Sequence, residues 1–493
     1  MSEEENFPDE DRDSPENISP KMNRRKALST VAKVAIGVGA AAVIGGAAYY
    51  ASLPPATTTT TTTTTLPLKL PGPDHPLVFA IGGYRPDMVA ENLAEFDRQF
   101  NAGKSELQQL SGDLIAGYQT KLLAGAPLDL LYSYPYSNVT WAKGGFVLPL
   151  DDIKKTDIVP YNGSEMRDAL YKSVRDIFSV DGKFYGPPYY ISDVGVLLTN
   201  EDLLERAGFK GDYPTTWSEL YDQIEKIAAK GFEIPYLAPW YNEPYGIPWS
   251  FNFETMNVGG LEAMWANEAP YEPTFDTTTV AAEVLRNWKN AWDKGWVPKS
   301  VLTMKQTDFL GAFATGKYAY NPNGNYFLRF MNDPSKSQIA GKSSIVPVKT
   351  QPWGLIDTAA YSLVNRKGRT QRDLEYAQGL LEFFGYKDRN GDFRVARRWA
   401  IEEALDSGYA AVAEDPQLKT AVGKWFPDPD YYLNTMKGVY STIQMPPAWR
   451  SGWYTKWNTR AQSDLSLILT GEKTVNEVIT GLRDYATELI KTG

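Results

Sequence analysis

An uninterrupted run of nine threonines, Thr57 to Thr65, divides this chain into two unlike parts. Identical polar residues give neither the alternation of a strand nor the apolar stripe of a helix, so the run cannot fill a core. Together with the neighbouring prolines it is typical of an extended stalk, which we place at residues 54 to 73. The stalk predicts a short N-terminal region on one side and a large folded domain, residues 74 to 493, on the other.

The N-terminal region has the pattern of a membrane anchor. Residues 1 to 22 are acidic and lack apolar periodicity, which predicts a disordered tail. An uncharged stretch, residues 34 to 53, follows a basic cluster, and about 20 such residues suffice to span a bilayer as a helix. Because no basic cluster follows the stretch, we expect a single-pass protein of the cell membrane with a cytoplasmic tail and the folded domain outside. Arg24 and Arg25 also resemble a twin-arginine export signal, so residues 23 to 53 are either a cleaved signal or an uncleaved anchor, and the anchor is favoured.

The amino-acid composition argues against most classes of enzyme mechanism. The 493 residues contain no cysteine and a single histidine, His75, at the edge of the folded domain. Thiol catalysis and thiolate metal sites are therefore excluded. A histidine-dependent triad would need His75 in a pocket, whereas its position is that of a linker residue, so we expect neither catalysis nor a cofactor. A net charge of −10 without a long basic run argues against a nucleic-acid partner.

Beyond the stalk, the pattern alternates between strands and helices. "LVFAI" (Leu77 to Ile81) and "LDLLY" (Leu128 to Tyr132) are short apolar runs, typical of strands that are buried on both faces. Capping-box sequences at Thr216 and Thr474 each start a stretch with one apolar helical face. Strands separated by helices predict an α/β fold whose parallel sheets are covered by helices.

Aromatic and polar residues follow the predicted strands. Ligands in such folds bind at the carboxyl ends of strands. That rule selects Tyr84 and Arg85 after the first strand, and Tyr132 and Tyr134 after the second. It also selects "NPNGNYF" (Asn321 to Phe327), which follows the strand-like "KYAY". We therefore expect a tyrosine-rich binding site at these strand ends.

Four segments of the folded domain, taken in order, carry a family resemblance. They are "LLAGAPLDLLY" with "WAKGGFVLPLDDI", "GKFYGPPYYISDVGVLLTNEDLLERAGFKGDYPTTWSEL", "FLGAFATGKYAYNPNGNYF" and "LTGEKTVNEVITGL". They resemble the extracellular solute-binding proteins of ABC importers, in the sugar-binding group that includes the maltodextrin-binding proteins. The resemblance covers about Leu77 to Ile490, nearly the whole folded domain.

The resemblance implies a two-lobed fold of the periplasmic-binding-protein type II kind, in which the lobes close about a hinge and enclose the ligand. It places the first lobe at about residues 74 to 190 and 350 to 400, and the second at about residues 191 to 349 and 401 to 493. The chain is then expected to cross between the lobes near residues 188 to 194, 348 to 358 and 399 to 404.

The resemblance further implies a saccharide site, in which aromatic planes cover the C–H faces of a sugar and polar side chains bind its hydroxyls. Trp449, Trp453 and Trp457 would share one helix face, which suits either core packing or a sugar platform, and of these we include Trp453. The family often has Trp at the end of its second strand where this chain has Tyr132 or Ser133, so the identity of the sugar does not carry over. The resulting candidate contacts are Tyr84, Arg85, Tyr132, Tyr134, Asp193, Trp240, Tyr245, Trp249, Asn325, Tyr326, Trp353 and Trp453.

As a substrate-binding subunit, the protein is expected to capture a mono- or oligosaccharide as a monomer and to deliver it to ABC permease subunits in the same membrane. A binder of a ferric ion, a polyamine or a peptide stays open, and the adjacent Tyr189 and Tyr190 would suit a ferric ion. A surface-anchored glycoside hydrolase also stays open and would need two carboxylates about 5 to 9.5 Å apart. Asn138 and Asn162 lie in N-x-[ST] sequons on the exported side and are candidate glycosylation sites.

Overall fold

A five-stranded and a three-stranded β-sheet, each packed against helices, organise the described part of the chain, and a third sheet has two strands. The computed structural model describes residues 70–111, 114–193, 195–346 and 356–492. The predicted tail and membrane span, residues 1 to 53, lie outside the described residues, as does the predicted stalk up to residue 69. Within the described ranges, no helix combines the length and the apolar character needed to cross a membrane.

Strands and helices are numbered in chain order. The strands are β1 (Val78–Ile81), β2 (Glu106–Gln109), β3 (Leu130–Ser133), β4 (Ser179–Val180), β5 (Lys183–Phe184), β6 (Pro188–Asp193), β7 (Leu197–Asn200), β8 (Tyr320–Pro322), β9 (Ser343–Val346) and β10 (Ile356–Leu363). The α-helices are α1 (Pro86–Phe100), α2 (Leu114–Leu123), α3 (Pro135–Lys143), α4 (Gly163–Asp168), α5 (Lys172–Arg175), α6 (Glu201–Ala207), α7 (Trp217–Ala229), α8 (Ile247–Gly259), α9 (Val280–Asp293), α10 (Gln306–Ala314), α11 (Phe327–Met331), α12 (Gln371–Gly385), α13 (Arg394–Glu403), α14 (Ala410–Ala413), α15 (Pro416–Val422), α16 (Pro429–Thr442), α17 (Tyr454–Thr470) and α18 (Val475–Thr492). Short 3₁₀ helices cover Leu261–Ala263, Lys299–Thr303 and Pro447–Arg450.

The first lobe is built on a five-stranded sheet in the order β2-β1-β3-β10-β6. β1 runs parallel to β2 and β3, whereas β10 runs antiparallel to β3 and β6. The two predicted apolar runs form β1 and β3, and every residue of both strands is buried. The predicted parallel sheet is therefore confirmed for β1 to β3, while β10 adds an antiparallel strand.

The second lobe has a smaller sheet, in the order β8-β7-β9, and its strand pairs are antiparallel. Much of this lobe is helical, since α8, α9, α17 and α18 pack on one another. Both predicted capping boxes form in this lobe. The backbone N–H of Glu219 donates to Thr216 Oγ1 at 3.0 Å, and that of Glu477 donates to Thr474 Oγ1 at 3.2 Å, which fixes the starts of α7 and α18.

The chain passes from one lobe to the other between consecutive strands of the two sheets. β6 leads into β7, and β9 leads to β10 through residues 347–355, which lie outside the described residues. The third expected crossing, near residues 399 to 404, stays a prediction. Those residues end α13, which packs on α12 and β6, and the buried Trp399 donates its Nε1–H to Tyr361 on β10. Beyond α13, α16 contacts α5 of the first lobe, and Tyr431 on α16 donates its hydroxyl to the backbone carbonyl of Ile345 on β9 of the second lobe at 2.9 Å, so α16 lies against both lobes.

Candidate ligand-binding site

A cavity of about 200 Å³ lies between the two lobes and takes side chains from both. Of its twelve lining residues, eight are aromatic, and the others are one carboxylate, two carboxamides and a leucine. Five of the predicted contacts are among them, namely Tyr84, Tyr134, Tyr245, Trp249 and Tyr326. The full set is Tyr84, Tyr134, Tyr189, Tyr190, Tyr241, Tyr245, Trp249, Gln306, Asn323, Tyr326, Asp357 and Leu405.

Two tyrosines reach the cavity from the ends of β1 and β3, where the strand-end rule places them. Tyr84 is 49% exposed, packs face to face on Trp399 with ring centroids 6.0 Å apart, and donates its hydroxyl to Glu403 at 2.8 Å. Tyr134 immediately precedes α3 and stacks on Tyr136 with ring centroids 6.1 Å apart. Burial raises the pKa of the Tyr134 hydroxyl far above its ordinary value, so this group is neutral at physiological pH.

Strands β6 and β10 contribute an acid held by a tyrosine. Tyr190 on β6 donates its hydroxyl to Asp357 Oδ1 on β10 at 2.7 Å, and Tyr189 lies beside it on the same strand. Burial is the largest influence on Asp357 and raises the pKa of its carboxyl to about 6, although the hydrogen bond from Tyr190 acts in the opposite direction. Asp357 is therefore ionised at neutral pH, and it is the single charged side chain among the described residues that line the cavity.

Strand-end reasoning misses Tyr189, Tyr190 and Asp357 as ligand contacts. The rule assigns ligands to the loops after parallel strands, whereas β10 enters the sheet antiparallel and β6 contributes residues from within the strand. The one sequence signal for these residues is the adjacent pair Tyr189 and Tyr190. Taken alone, that pair suits a ferric ion and does not indicate a wall of a sugar site.

The loop between β8 and α11 forms part of the opposite wall, in the second lobe. Tyr326 is partly buried, packs on Phe327 with ring centroids 4.2 Å apart, and accepts a hydrogen bond from Gln306 Nε2 at 3.2 Å. Asn323 lies three residues earlier in the same loop and also lines the cavity. The motif "NPNGNYF" is thus brought to the cavity, although through Asn323 and Tyr326 rather than through Asn325.

The start of α8 forms the rest of the second-lobe wall. Trp249 lies in its first turn and packs on Trp449, with ring centroids 4.8 Å apart, and on Tyr245 at 6.2 Å. Tyr241 precedes the helix and was not predicted. A second cavity of about 20 Å³ adjoins the first and shares Tyr241, Tyr245, Trp249 and Asn323 with it.

Two predicted strand-end residues do not line the cavity. The guanidinium of Arg85 pairs with Glu403 and, at 2.9 Å, with Asp87, so it ties the start of α1 to the end of α13. Tyr132 is buried in the sheet and stacks on Tyr189 with ring centroids 4.7 Å apart. Both residues therefore support lining residues or their neighbours instead of facing a ligand.

The predicted tryptophans other than Trp249 belong to the core or cannot be placed. Trp240 is buried against Trp288, with ring centroids 4.8 Å apart. It lines the smaller cavity but not the larger one. Trp453 packs on Trp265 at 5.4 Å. It lies just before α17, whereas Trp449 lies in a separate 3₁₀ helix, so the expected shared helix face does not form. Trp353 lies outside the described residues.

Asn325, another predicted contact, joins segments that cross between the lobes. Its Oδ1 accepts from Ser192 Oγ at 2.9 Å and from the backbone N–H of Asp193 at 3.0 Å. Its Nδ2 donates to Asp406 at 3.0 Å and to the Tyr432 hydroxyl at 2.9 Å. A carboxamide accepts two hydrogen bonds and donates two, so these four bonds saturate the buried side chain and leave none for a ligand.

Asp406 is the charged centre of the same cluster. Its Oδ2 also accepts from Tyr440 at 2.7 Å, and burial raises the pKa of its carboxyl to about 6 against the effect of its hydrogen bonds. Asp193, a predicted contact, is buried beside the cluster, and its Oδ1 accepts from the backbone N–H of Gly195 at 2.9 Å. We call Ser192, Asn325, Asp406, Tyr432 and Tyr440 the hinge network.

The two sequon asparagines have different surroundings. Asn138 is fully buried, and its Nδ2 donates to Ser133 Oγ and Ser362 Oγ, each at 3.1 Å. A glycan on that nitrogen is incompatible with this packing, so the structure does not support glycosylation of Asn138. Asn162 caps α4, where its Oδ1 accepts from the backbone N–H of Glu165 at 2.9 Å, and it stays a prediction.

The cavity suits binding by shape and hydrogen bonds. Within the described ranges, no group of three or more His, Asp or Glu side chains is placed to hold a metal ion. Retaining and inverting glycosidases need a pair of carboxyl groups at the reacting bond, and among the described lining residues Asp357 is the single one. Aromatic faces with a few polar groups are the usual lining of a small-molecule site.

Comparisons with known proteins place this architecture among solute-binding proteins. The chain is 24% identical over 234 residues to a mannitol-binding protein from Pseudomonas aeruginosa, a match that spans 44% of this chain and 46% of that relative, less than half of either. A maltose-bound MalE3 of T. maritima superposes with a TM-score of 0.67 at 19% identity, over 84% of this chain and 99% of that one. An ABC transporter solute-binding protein from Agrobacterium vitis S4 with bound D-mannitol gives a TM-score of 0.64 at 16% identity, over 84% and 98% of the two chains.

These structural matches establish the fold, and the predicted two-lobed α/β architecture is confirmed. The sequence itself carries the family assignment. A model of the family described as bacterial extracellular solute-binding protein matches residues 86–384, which is more than half of the chain. The chain belongs to the family of bacterial extracellular solute-binding proteins.

Proposed function

We propose that this protein is the substrate-binding subunit of an ABC importer and that it captures a carbohydrate or a polyol outside the cell. The observation that carries the proposal is the cavity between the lobes, in which eight aromatic rings surround one carboxylate and two carboxamides. Aromatic planes cover the C–H faces of sugars, and the polar groups bind the hydroxyls. The mannitol-binding relative and the maltose-bound and mannitol-bound neighbours support the same class of ligand.

The protein binds its ligand without changing it and passes it to separate permease subunits. A single carboxylate among the described lining residues supports binding over glycoside hydrolysis. Chromatography of maltose after prolonged incubation with the purified protein tests this point. Recovery of glucose would contradict it.

The binding subunit works as a monomer tethered to the cell membrane through residues 34 to 53, with the threonine-rich stalk as a spacer. This part of the proposal rests on the sequence pattern alone, that is, on the uncharged stretch after a basic cluster and on the threonine run. The residues concerned lie outside the described ranges. Fractionation of producing cells tests it, because an anchored protein stays with the membranes after a salt wash. Release of a shortened protein into the medium would favour the alternative, a cleaved twin-arginine signal.

Thermal shift of the full purified chain with a panel of compounds tests the ligand class. The panel contains D-mannitol, ribitol, maltose, spermidine, ferric citrate and a short peptide mixture. A ligand present at 100 times its Kd adds about 2.7 kcal/mol to the free energy of unfolding, which is readily detected. We expect stabilisation by a neutral sugar or polyol. Stabilisation by spermidine, ferric citrate or peptide alone would assign the cavity to one of the rival ligand classes.

A further inference from the structure

Two residues of the second-lobe wall carry buried N–H groups that have no hydrogen-bond partner among the described residues. They are Trp249, through Nε1, and Asn323, through Nδ2. Trp249 is 5% exposed and Asn323 is 4% exposed, and both residues line the large cavity and the small one. The amide orientation of Asn323 is set, because its Oδ1 accepts from the backbone N–H of Gly324 at 2.8 Å and Nδ2 is left over.

Unpaired buried donors are costly to a fold, so two of them in one wall of a ligand cavity indicate a partner that arrives with the ligand. The aromatic lining by itself does not identify that partner. Eight rings and the carboxylate of Asp357 suit cation–π contacts with an amine as well as they suit a sugar. The two donors discriminate between these ligands, since a quaternary ammonium offers no acceptor and each hydroxyl of a polyol can both accept and donate.

We infer that Trp249 and Asn323 are specificity-determining residues, which donate their N–H groups to hydroxyl oxygens of the ligand, while Asp357 accepts from a further hydroxyl at the opposite lobe. This inference rests on the proposed function and narrows the ligand to a neutral compound with several hydroxyl groups. No basic side chain lies among the described residues that line the cavity. An acidic sugar would therefore meet the charge of Asp357 without compensation.

A water molecule is the rival partner for the same two donors. The small cavity of about 20 Å³ is large enough for one water, and it touches both Trp249 and Asn323. If a water satisfies them, their removal leaves ligand affinity unchanged. The two explanations therefore predict different ligand affinities for variants that lack these donors.

Isothermal titration of the full chain with D-mannitol, ribitol and maltose, and with tetramethylammonium chloride as the cationic probe, tests the inference. The variants are Asn323→Ala and Trp249→Phe. The matched control is Asn321→Ala, because Asn321 is a buried asparagine of the adjoining strand β8 whose side chain also lacks a described partner, yet it lines neither cavity. We expect Asn323→Ala and Trp249→Phe each to lower the affinity for the bound neutral probe at least tenfold, and Asn321→Ala to change it less than twofold.

The apo melting temperature separates a ligand contact from a structural role. Asn323→Ala removes one hydrogen bond of the apo fold, the one that Oδ1 accepts from the backbone N–H of Gly324, so its apo melting temperature is expected to fall only slightly. If Trp249→Phe does not fold, Asn323→Ala alone decides. Affinity within twofold of the wild type for Asn323→Ala would overturn the inference, with the donors assigned to water, while the proposed function stands. Failure of every neutral probe to bind the wild type, or binding of tetramethylammonium in their place, would count against the proposed function itself.

Discussion

Replacement of Asn325 by alanine tests whether this residue holds the hinge or the ligand. Its side chain accepts from Ser192 and from the backbone of Asp193, at 2.9 and 3.0 Å. It donates to Asp406 and to Tyr432, at 3.0 and 2.9 Å. A buried hydrogen bond contributes about 0.5 to 1.5 kcal/mol, and one to a charged group about 1.5 to 3 kcal/mol. Because three neutral bonds and one to a carboxylate are lost together, we expect Asn325→Ala to lower the free energy of unfolding by about 3 to 7 kcal/mol.

Urea unfolding of the apo protein, followed by tryptophan fluorescence and by far-UV circular dichroism, measures this loss. Both signals should move to lower urea with an unchanged m-value, as expected when stability alone changes. Asn287→Ala is the matched control, because Asn287 is exposed on α9, and its effect should stay within about 0.5 kcal/mol. A loss below about 1 kcal/mol for Asn325→Ala, together with clearly weaker ligand binding, would refute the hinge assignment and return Asn325 to the ligand.

Two further predictions concern a tyrosine of the cavity and two buried carboxyl groups. Tyr326→Ala is expected to weaken ligand binding at least tenfold, about 1.4 kcal/mol, with little change in the apo melting temperature, because the ring is partly buried and lines the cavity. Tyr326→Phe, which keeps the ring, is the control, and a large fall in apo stability with intact affinity would make Tyr326 a core residue. The apo protein is also expected to gain stability from pH 7 to pH 5. Burial raises the pKa of Asp357 and Asp406 to about 6, well above the ordinary value of 3.8, so in this window the folded state binds more protons than the unfolded one. Urea titrations at pH 7, 6 and 5 measure this trend, and a steady loss of stability towards pH 5 would contradict it.

Local signals in the sequence are enough to predict the elements of the fold that depend on nearby residues. The apolar runs at β1 and β3 and the capping boxes at Thr216 and Thr474 depend on neighbours within one turn or one strand. The position of β10 in the sheet does not depend on such near neighbours. It pairs with β3 and β6, whose residues are more than 150 positions away along the chain, and no local pattern reports such a partner.

The candidate site is predicted where it depends on strand ends and missed where it depends on the hinge. Tyr84, Tyr134 and Tyr326 follow strands and reach the cavity, as expected. The residue pair Tyr190 and Asp357 comes together only when β6 and β10 cross side by side. The tryptophan spacing at 449, 453 and 457 suggested one helix face, but a break between the 3₁₀ helix and α17 places these rings in the core.

Cavity-lining residues and residues that link the two lobes follow each other along the same two short stretches of backbone. On β6, Tyr190 holds Asp357 at the cavity, and Ser192, two residues later on the same face of the strand, holds Asn325. In the second-lobe loop, Asn323 lines the cavity, and Asn325 is again two residues later. A ligand that engages Asp357 on one lobe and Asn323 on the other therefore acts next to both ends of the Ser192–Asn325 hydrogen bond. Because cavity-lining and lobe-linking residues share this backbone at a spacing of two, a family resemblance read from sequence readily selects Asn325 where Asn323 faces the cavity.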